Sequence, residues 1–135
     1  MKQEFDNLLC TRYPKMFINR NGDKRDTCMA WGFECGDGWF TLIDRLCQNI
    51  QAYIDQNPHK QVPQVVVDQV KEKFGTLRFY TTGGDDLTQG MIWFAESMSG
   101  KICETCGHPG KVRTGGWFRA LCDEHAAPED ISTNG

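Results

Sequence analysis

A chain of 135 residues with 39% hydrophobic and 24% charged content suits one globular domain, large enough to bury roughly two thirds of the surface that its unfolded form exposes. No apolar run approaches the ~18 residues needed to cross a bilayer, which excludes a membrane-spanning helix. The net charge of −3 argues against a protein that coats nucleic acid, because neutralising phosphates requires an excess of Lys and Arg.

The opening "MKQEFDNLLC" lacks the uninterrupted apolar segment of a secretory signal. The seven cysteines are therefore expected in a reducing compartment, the cytoplasm, where metal ligation is favoured over disulfides. In "QEFDNLLCTRY", Phe5, Leu8, Leu9 and Arg12 recur at helical spacing until Pro14, which predicts a short amphipathic helix. The polar stretch "PKMFINRNGDKRDT" then reads as an exposed connection turning at Asn21 and Gly22, with Lys24 and Arg25 open to solvent or to an acidic partner.

"CMAWGFECGDGWF" is dense in aromatics and glycine. Most of Trp31, Phe33, Trp39 and Phe40 should line the core, Gly32, Gly36 and Gly38 imply positive φ or close backbone approach, and Asp37 is placed to cap the next helix. Glu34 and Asp37 beside that helix start would repel a phosphate. From Trp39 to about Ile54 the apolar positions repeat with the helical period, and Cys47 lies on the apolar stripe as a small core residue. Pro58 and Pro63 punctuate the loop that follows, with His59 exposed in it.

The period then changes. Val65 to about Lys71 and Thr76 to Thr82 flank a turn near Phe74 and Gly75, predicting an antiparallel hairpin packed through Val66, Val70, Leu77 and Phe79, with Lys71, Lys73 and Arg78 on its outer face. Asp85 or Asp86 caps a further helix carrying Ile92, Trp93, Ala95, Glu96 and Met98, which ends at Gly100.

The strongest motif lies beyond it. "CETCGHPGKVRTGGWFRALCDEH" holds Cys103 and Cys106, then Cys122 and His125, two pairs whose spacing matches a structural zinc site. "CETCG" has the form of a knuckle, "KVR" and "WFRAL" of a small hairpin, and "CDEH" of one helical turn. That order predicts a treble-clef finger, with a zinc ribbon as the alternative. His108 competes with His125 for the fourth place, and Pro109 beside it disfavours it. Four protein ligands leave no position for water, so one Zn²⁺ per chain is expected as a structural ion. Cys10, Cys28, Cys35 and Cys47 lack paired spacing and are expected to form no second site. The predicted organisation is an α+β body over residues 1–100 with two to three helices and an antiparallel hairpin, able to fold by itself; a finger packed on it over 101–126; and a flexible tail over 127–135.

The ordered set "WGFECGDGWF", "VKEKFGTLRFY", "CETCGHPG" and "GWFRALCDEH" resembles a group of small, largely uncharacterised proteins carried by bacteriophages and prophages. The resemblance implies a phage-derived accessory protein in the bacterial host cytoplasm, and it brings no catalytic residues. Three function classes remain. A protein that binds a host protein, for instance to inhibit a defence system, needs only a zinc-stapled scaffold and leads. Nucleic-acid binding through the finger would use Lys111, Arg113 and Arg119 interleaved with Trp117 and Phe118, a small footprint. For an enzyme the clustered carboxylates are Glu34, Asp37, Asp85 and Asp86, all beside glycines where turns and caps require them. No catalytic residue is assigned, and the chain is not expected to be an enzyme.

Overall fold

The computed structural model describes residues 1–128 and orders them as α1 (Gln3–Arg12), β1 (Phe33–Glu34), α2 (Phe40–Gln56), β2 (Val66–Lys73), β3 (Thr76–Thr82), α3 (Asp86–Ser99), β4 (Lys111–Arg113) and β5 (Arg119–Leu121). The α+β class is as expected. One sheet runs β1-β2-β3, with β1 parallel and β3 antiparallel to β2, and the β4-β5 hairpin stands apart. Most of the predicted tail falls on residues 129–135, outside the described residues.

Helix α1 stops at Arg12, ahead of Pro14, whose ring cannot continue the ladder. The chain does not then leave the core as expected. Tyr13, Met16 and Phe17 are buried, and Phe17 sets its ring edge-on to Phe33 at 5.0 Å. The reason is local: Phe17 N–H donates to the Tyr13 carbonyl at 3.1 Å, a turn of helix that aims these side chains inward. Only from Ile18, 68% exposed, does the predicted surface connection begin. Lys24 there lies over the exposed Trp31 ring, and Arg25 pairs with Asp23.

Phe33 and Trp39 are in the core, Phe40 is half-buried, and Trp31 is not in the core at all. Asp37 does not cap α2. A short 3₁₀ turn over Asp37–Trp39 leads into that helix, and the Asp37 Oδ1 instead accepts the Lys2 amide at 2.7 Å, serving the first turn of α1 across space. Helix α2 buries Ile43, Leu46, Cys47 and Ile50 along one stripe, as its period predicts.

The hairpin forms with one change of face. Val65, Val67, Val70, Leu77 and Phe79 are buried, whereas Val66 is only half-buried. The register runs Val67↔Thr81 and then Gln69↔Tyr80, so Asp68 is an extra residue, a bulge that shifts the alternation by one and lets Val67 and Val70 point to the same side. Lys71 and Arg78 are direct register partners next to the inward pair Val70 and Phe79, so they share the outer face.

Helix α3 begins with a reciprocal cap: the Asp85 carboxylate accepts the Thr88 amide at 3.0 Å, and Thr88 Oγ1 accepts the Asp85 amide at 2.8 Å. It shields the free edge of β3. The Leu77 amide donates to Ser99 Oγ at 2.8 Å and the Phe79 amide to Glu96 Oε2 at 2.9 Å, so edge groups that would otherwise recruit another strand are satisfied within the chain. Among the described residues no helix is long and apolar enough to cross a membrane.

Candidate metal centre

Immediately after α3 the chain makes the knuckle. Gly107, at φ +83°, lets the backbone turn back so that its amide donates to the Cys103 carbonyl at 2.9 Å, while the Cys103 amide donates to the His108 carbonyl at 2.7 Å. Hairpin β4-β5 follows, and the Ala126 amide closes a turn on the Cys122 carbonyl at 3.0 Å. The knuckle, hairpin and ligand-bearing turn occur in the predicted order.

These elements bring Cys103, Cys106, Cys122 and His125 together, with all four donor atoms within 4.8 Å of one another. Cys106 Sγ lies 3.7 Å from Cys122 Sγ, and His125 Nδ1 lies 3.2 Å from Cys122 Sγ and 3.8 Å from Cys103 Sγ. A tetrahedral shell with metal–sulfur bonds of about 2.3 Å has edges of about 3.8 Å, so the donor set is positioned to bind a metal ion. His125 is the imidazole of the group, through Nδ1, and His108 contributes a backbone carbonyl to the knuckle. Cys103 and Cys122 are buried, Cys106 and His125 exposed, so the centre lies at the surface with one side sealed. Burial pushes the Cys103 thiol up, but the amides of Cys122, Cys106 and Thr105 overcome it and hold its pKa at about 6. At neutral pH it is a thiolate, the form that ligates. Burial instead pushes Cys35 up to about 12 and Cys10 to about 11, in both cases with help from nearby carboxylates, which keeps them as thiols.

The knuckle is also the docking surface for the loop before α2. The Gly38 amide donates to the Glu104 carbonyl at 2.7 Å, the Gly36 amide to Glu104 Oε2 at 2.8 Å, and Trp39 Nε1 to the Ile102 carbonyl at 3.0 Å. Close backbone approach, one of the two meanings assigned to these glycines, is what Gly36 and Gly38 provide: a Cβ on Gly38 would lie 2.1 Å from the Cys103 carbonyl oxygen. Glu104 was not singled out by any motif. It is 6% exposed, with one carboxylate oxygen held by Gly36 and the other without a hydrogen-bond partner among the described residues. Only its place between two ligands in "CETC" could have drawn attention to it.

The predicted contact residues separate. Trp117 is 93% exposed at the hairpin tip, Arg119 is exposed and Lys111 half-buried. Phe118 meets Phe74 of the β2-β3 turn, ring centroids 6.5 Å apart, so it helps seat the finger on the body. Arg113 is 3% exposed: Nε and Nη2 donate to the Leu121 carbonyl at 3.1 and 3.0 Å, and Nη2 to Asp123 Oδ1 at 2.9 Å. Those acceptors flank Cys122 on both sides. Arg113 therefore positions a ligand by fixing the backbone on both sides of it. Arg113→Ala is expected to weaken metal affinity by about 10-fold or more, as such outer partners do. Competition with a chromogenic chelator measures this, and unchanged affinity would contradict the assigned role.

In comparisons with known proteins, no protein-family model, no curated protein and no solved structure matches the chain.

Proposed function

We propose that the protein is a zinc-stapled binding module of phage derivation that acts on a host protein, as an inhibitor of a bacterial defence system would, without turning over a substrate. Zinc is the metal this donor set favours, because three thiolates and an imidazole in a tetrahedral, closed arrangement suit a soft, redox-inert ion. The phage setting follows from the motif resemblance.

The observation that carries the binding role is a groove of about 710 Å³ between the first turns of α1 and α2 and the knuckle. Phe5 and Phe40 lie in its lining, stacked with centroids 4.4 Å apart. Lys2, Arg45 and His108 also line it, and the ligand Cys106 belongs to its wall, so the metal shapes a recognition surface as well as the fold. Among the described residues its one lining carboxylate, Asp37, is already engaged by the Lys2 amide. Apolar rings beside cations and an imidazole suit an acidic peptide segment of a partner protein that also presents an apolar side chain.

A second reading, single-stranded nucleic acid on the finger, is favoured by the exposure of Trp117 with Arg119 two residues on. The burial of Arg113 removes one of its three finger cations. Affinity capture from host lysate compares the two. Arg45→Glu is expected to lower recovery of the protein partner about 10-fold with zinc content intact, whereas a nucleic-acid module would retain salt-sensitive nucleic acid and lose it in Trp117→Ala. Capture of no protein by the wild type, or capture indifferent to Arg45→Glu, would refute the groove.

A further inference from the structure

Helix α3 buries Thr88, Ile92, Ala95 and Ser99 on one side yet carries its largest apolar side chains on the other. Trp93 is 77% exposed, Phe94 68%, Leu87 50% and Met98 38%. At about 100° per residue, the line opposite the buried side runs through Asp86, Gly90 and Ser97, with Trp93 and Phe94 flanking its midpoint and Lys101 just past the C-cap Gly100 at its far end. No charged residue lies on this face between Asp86 and Lys101. A contiguous apolar face of this kind marks a contact surface.

We infer that the face pairs with the same face of a second copy of this chain, the two α3 helices antiparallel about a two-fold axis between Trp93 and Phe94. A two-fold contact must be complementary to itself. About that axis each position meets a residue suited to it: Asp86 lies level with Lys101 and Gly90 with Ser97, while on the two flanks Trp93 meets the Trp93 and Phe94 the Phe94 of the second copy. Opposite charges, two small residues and two aromatics thus meet in one register. Gly90 leaves room for the approach, since a Cβ built there meets nothing within 4 Å, and small residues let helix axes come to about 8 Å. Asp86 and Lys101 are both exposed, and neither forms an ion pair among the described residues. Antiparallel helices also set their dipoles head to tail. The match is between the helix and its own reversed order, which is why a second copy fits better than an unrelated partner. A contact made by one helix face from each chain is smaller than a standard interface of ~800 Å² per partner, so a reversible dimer of micromolar strength is expected.

Sedimentation of the zinc-loaded full chain from about 1 to 200 µM tests this, with a mass expected to rise from 15.4 kDa toward twice that value and a midpoint on the order of 10 µM. Asp86→Lys and Lys101→Asp place like charges together twice per dimer, and each is expected to weaken association about 10-fold or more. The double variant should return to within about 3-fold of wild type. Ser97→Glu, at the exposed centre of the face, should leave a monomer and reads the same contact if the charge swaps disturb the helix ends. A wild type that stays monomeric at every concentration gives the face to some other protein or to a lipid surface and overturns the pairing. Failure of the double swap to restore association, in variants with wild-type circular dichroism, overturns it equally.

Discussion

Stripping the metal from the purified protein is expected to unfold more than the finger. Structural zinc contributes roughly 10 kcal/mol or more in finger peptides, a magnitude comparable to the whole stability of a typical domain. The finger alone spans residues about 101–126, but its knuckle also holds the body. Without the ion, three thiols and an imidazole have no reason to converge, and the carbonyls of Ile102 and Glu104 lose their fixed positions. Those carbonyls receive the Trp39 indole and the Gly38 amide, and Trp39 is fully buried at the head of α2. Protection of the Trp39 indole and of the 36–38 amides from hydrogen exchange should therefore collapse together with the finger on chelation, and the near-ultraviolet dichroism of the tryptophans should fall. The α2–β2–β3 core is expected to keep its helical signal but melt less cooperatively. An apo protein with the same exchange pattern outside residues 101–126 would show that finger and body are independent. Retention of one zinc per chain by a Cys106→Ser, Cys122→Ser double variant would refute the ligand set itself.

Gly38→Ala is expected to cost about 3 kcal/mol or more, among the largest effects of any single methyl added to this chain. The new Cβ would sit 2.1 Å from the Cys103 carbonyl oxygen, 2.6 Å from the Gly107 nitrogen and 2.7 Å from the Glu104 carbonyl carbon. All three atoms are backbone of the knuckle, so no side chain can swing away. Relief requires separating the loop from the finger, which breaks the Gly38–Glu104 and Trp39–Ile102 hydrogen bonds and opens the space around a buried indole. A fall in melting temperature of about 10 °C or more is expected for a domain of this size. Gly116→Ala is the control, because a Cβ there meets nothing within 4 Å and its backbone is not left-handed; it should change stability by less than about 1 kcal/mol. If the two variants melt alike, the close packing of loop and knuckle is not a determinant of stability.

What could be read from the order of residues alone was whatever depends on neighbours a few positions apart. The periods of α1 and α2 follow from apolar spacing, the bounds of α3 from its Asp cap and Gly100, the β2-β3 turn from Phe74-Gly75 between β-rich runs, and the ligand set from two local pairs whose sulfurs and imidazole each need only one turn of backbone to face the same way. His125 is favoured over His108 because His108 follows the knuckle directly and Pro109 constrains the turn there, and the structure places His125 in the group, its Nδ1 3.2 Å from Cys122 Sγ. Tertiary structure decided whatever depends on which surfaces meet. Arg113 alternates along β4 like any strand residue, and only the return of β5 and the Cys122 turn over it makes it an interior group. Asp37 looked like a cap for the helix after it and serves the helix before it, because α1 folds back across the start of α2. Val66 lost its inward place to Val67 because a single bulged residue, Asp68, reverses the pleat. Trp93 and Phe94 were indistinguishable in sequence from core aromatics; the sheet claims only one side of α3, and the other side is left apolar and open. Gly36 and Gly38 announced close approach, but the knuckle that approaches them lies more than sixty residues away along the chain, a distance over which local pattern carries no information and only packing does.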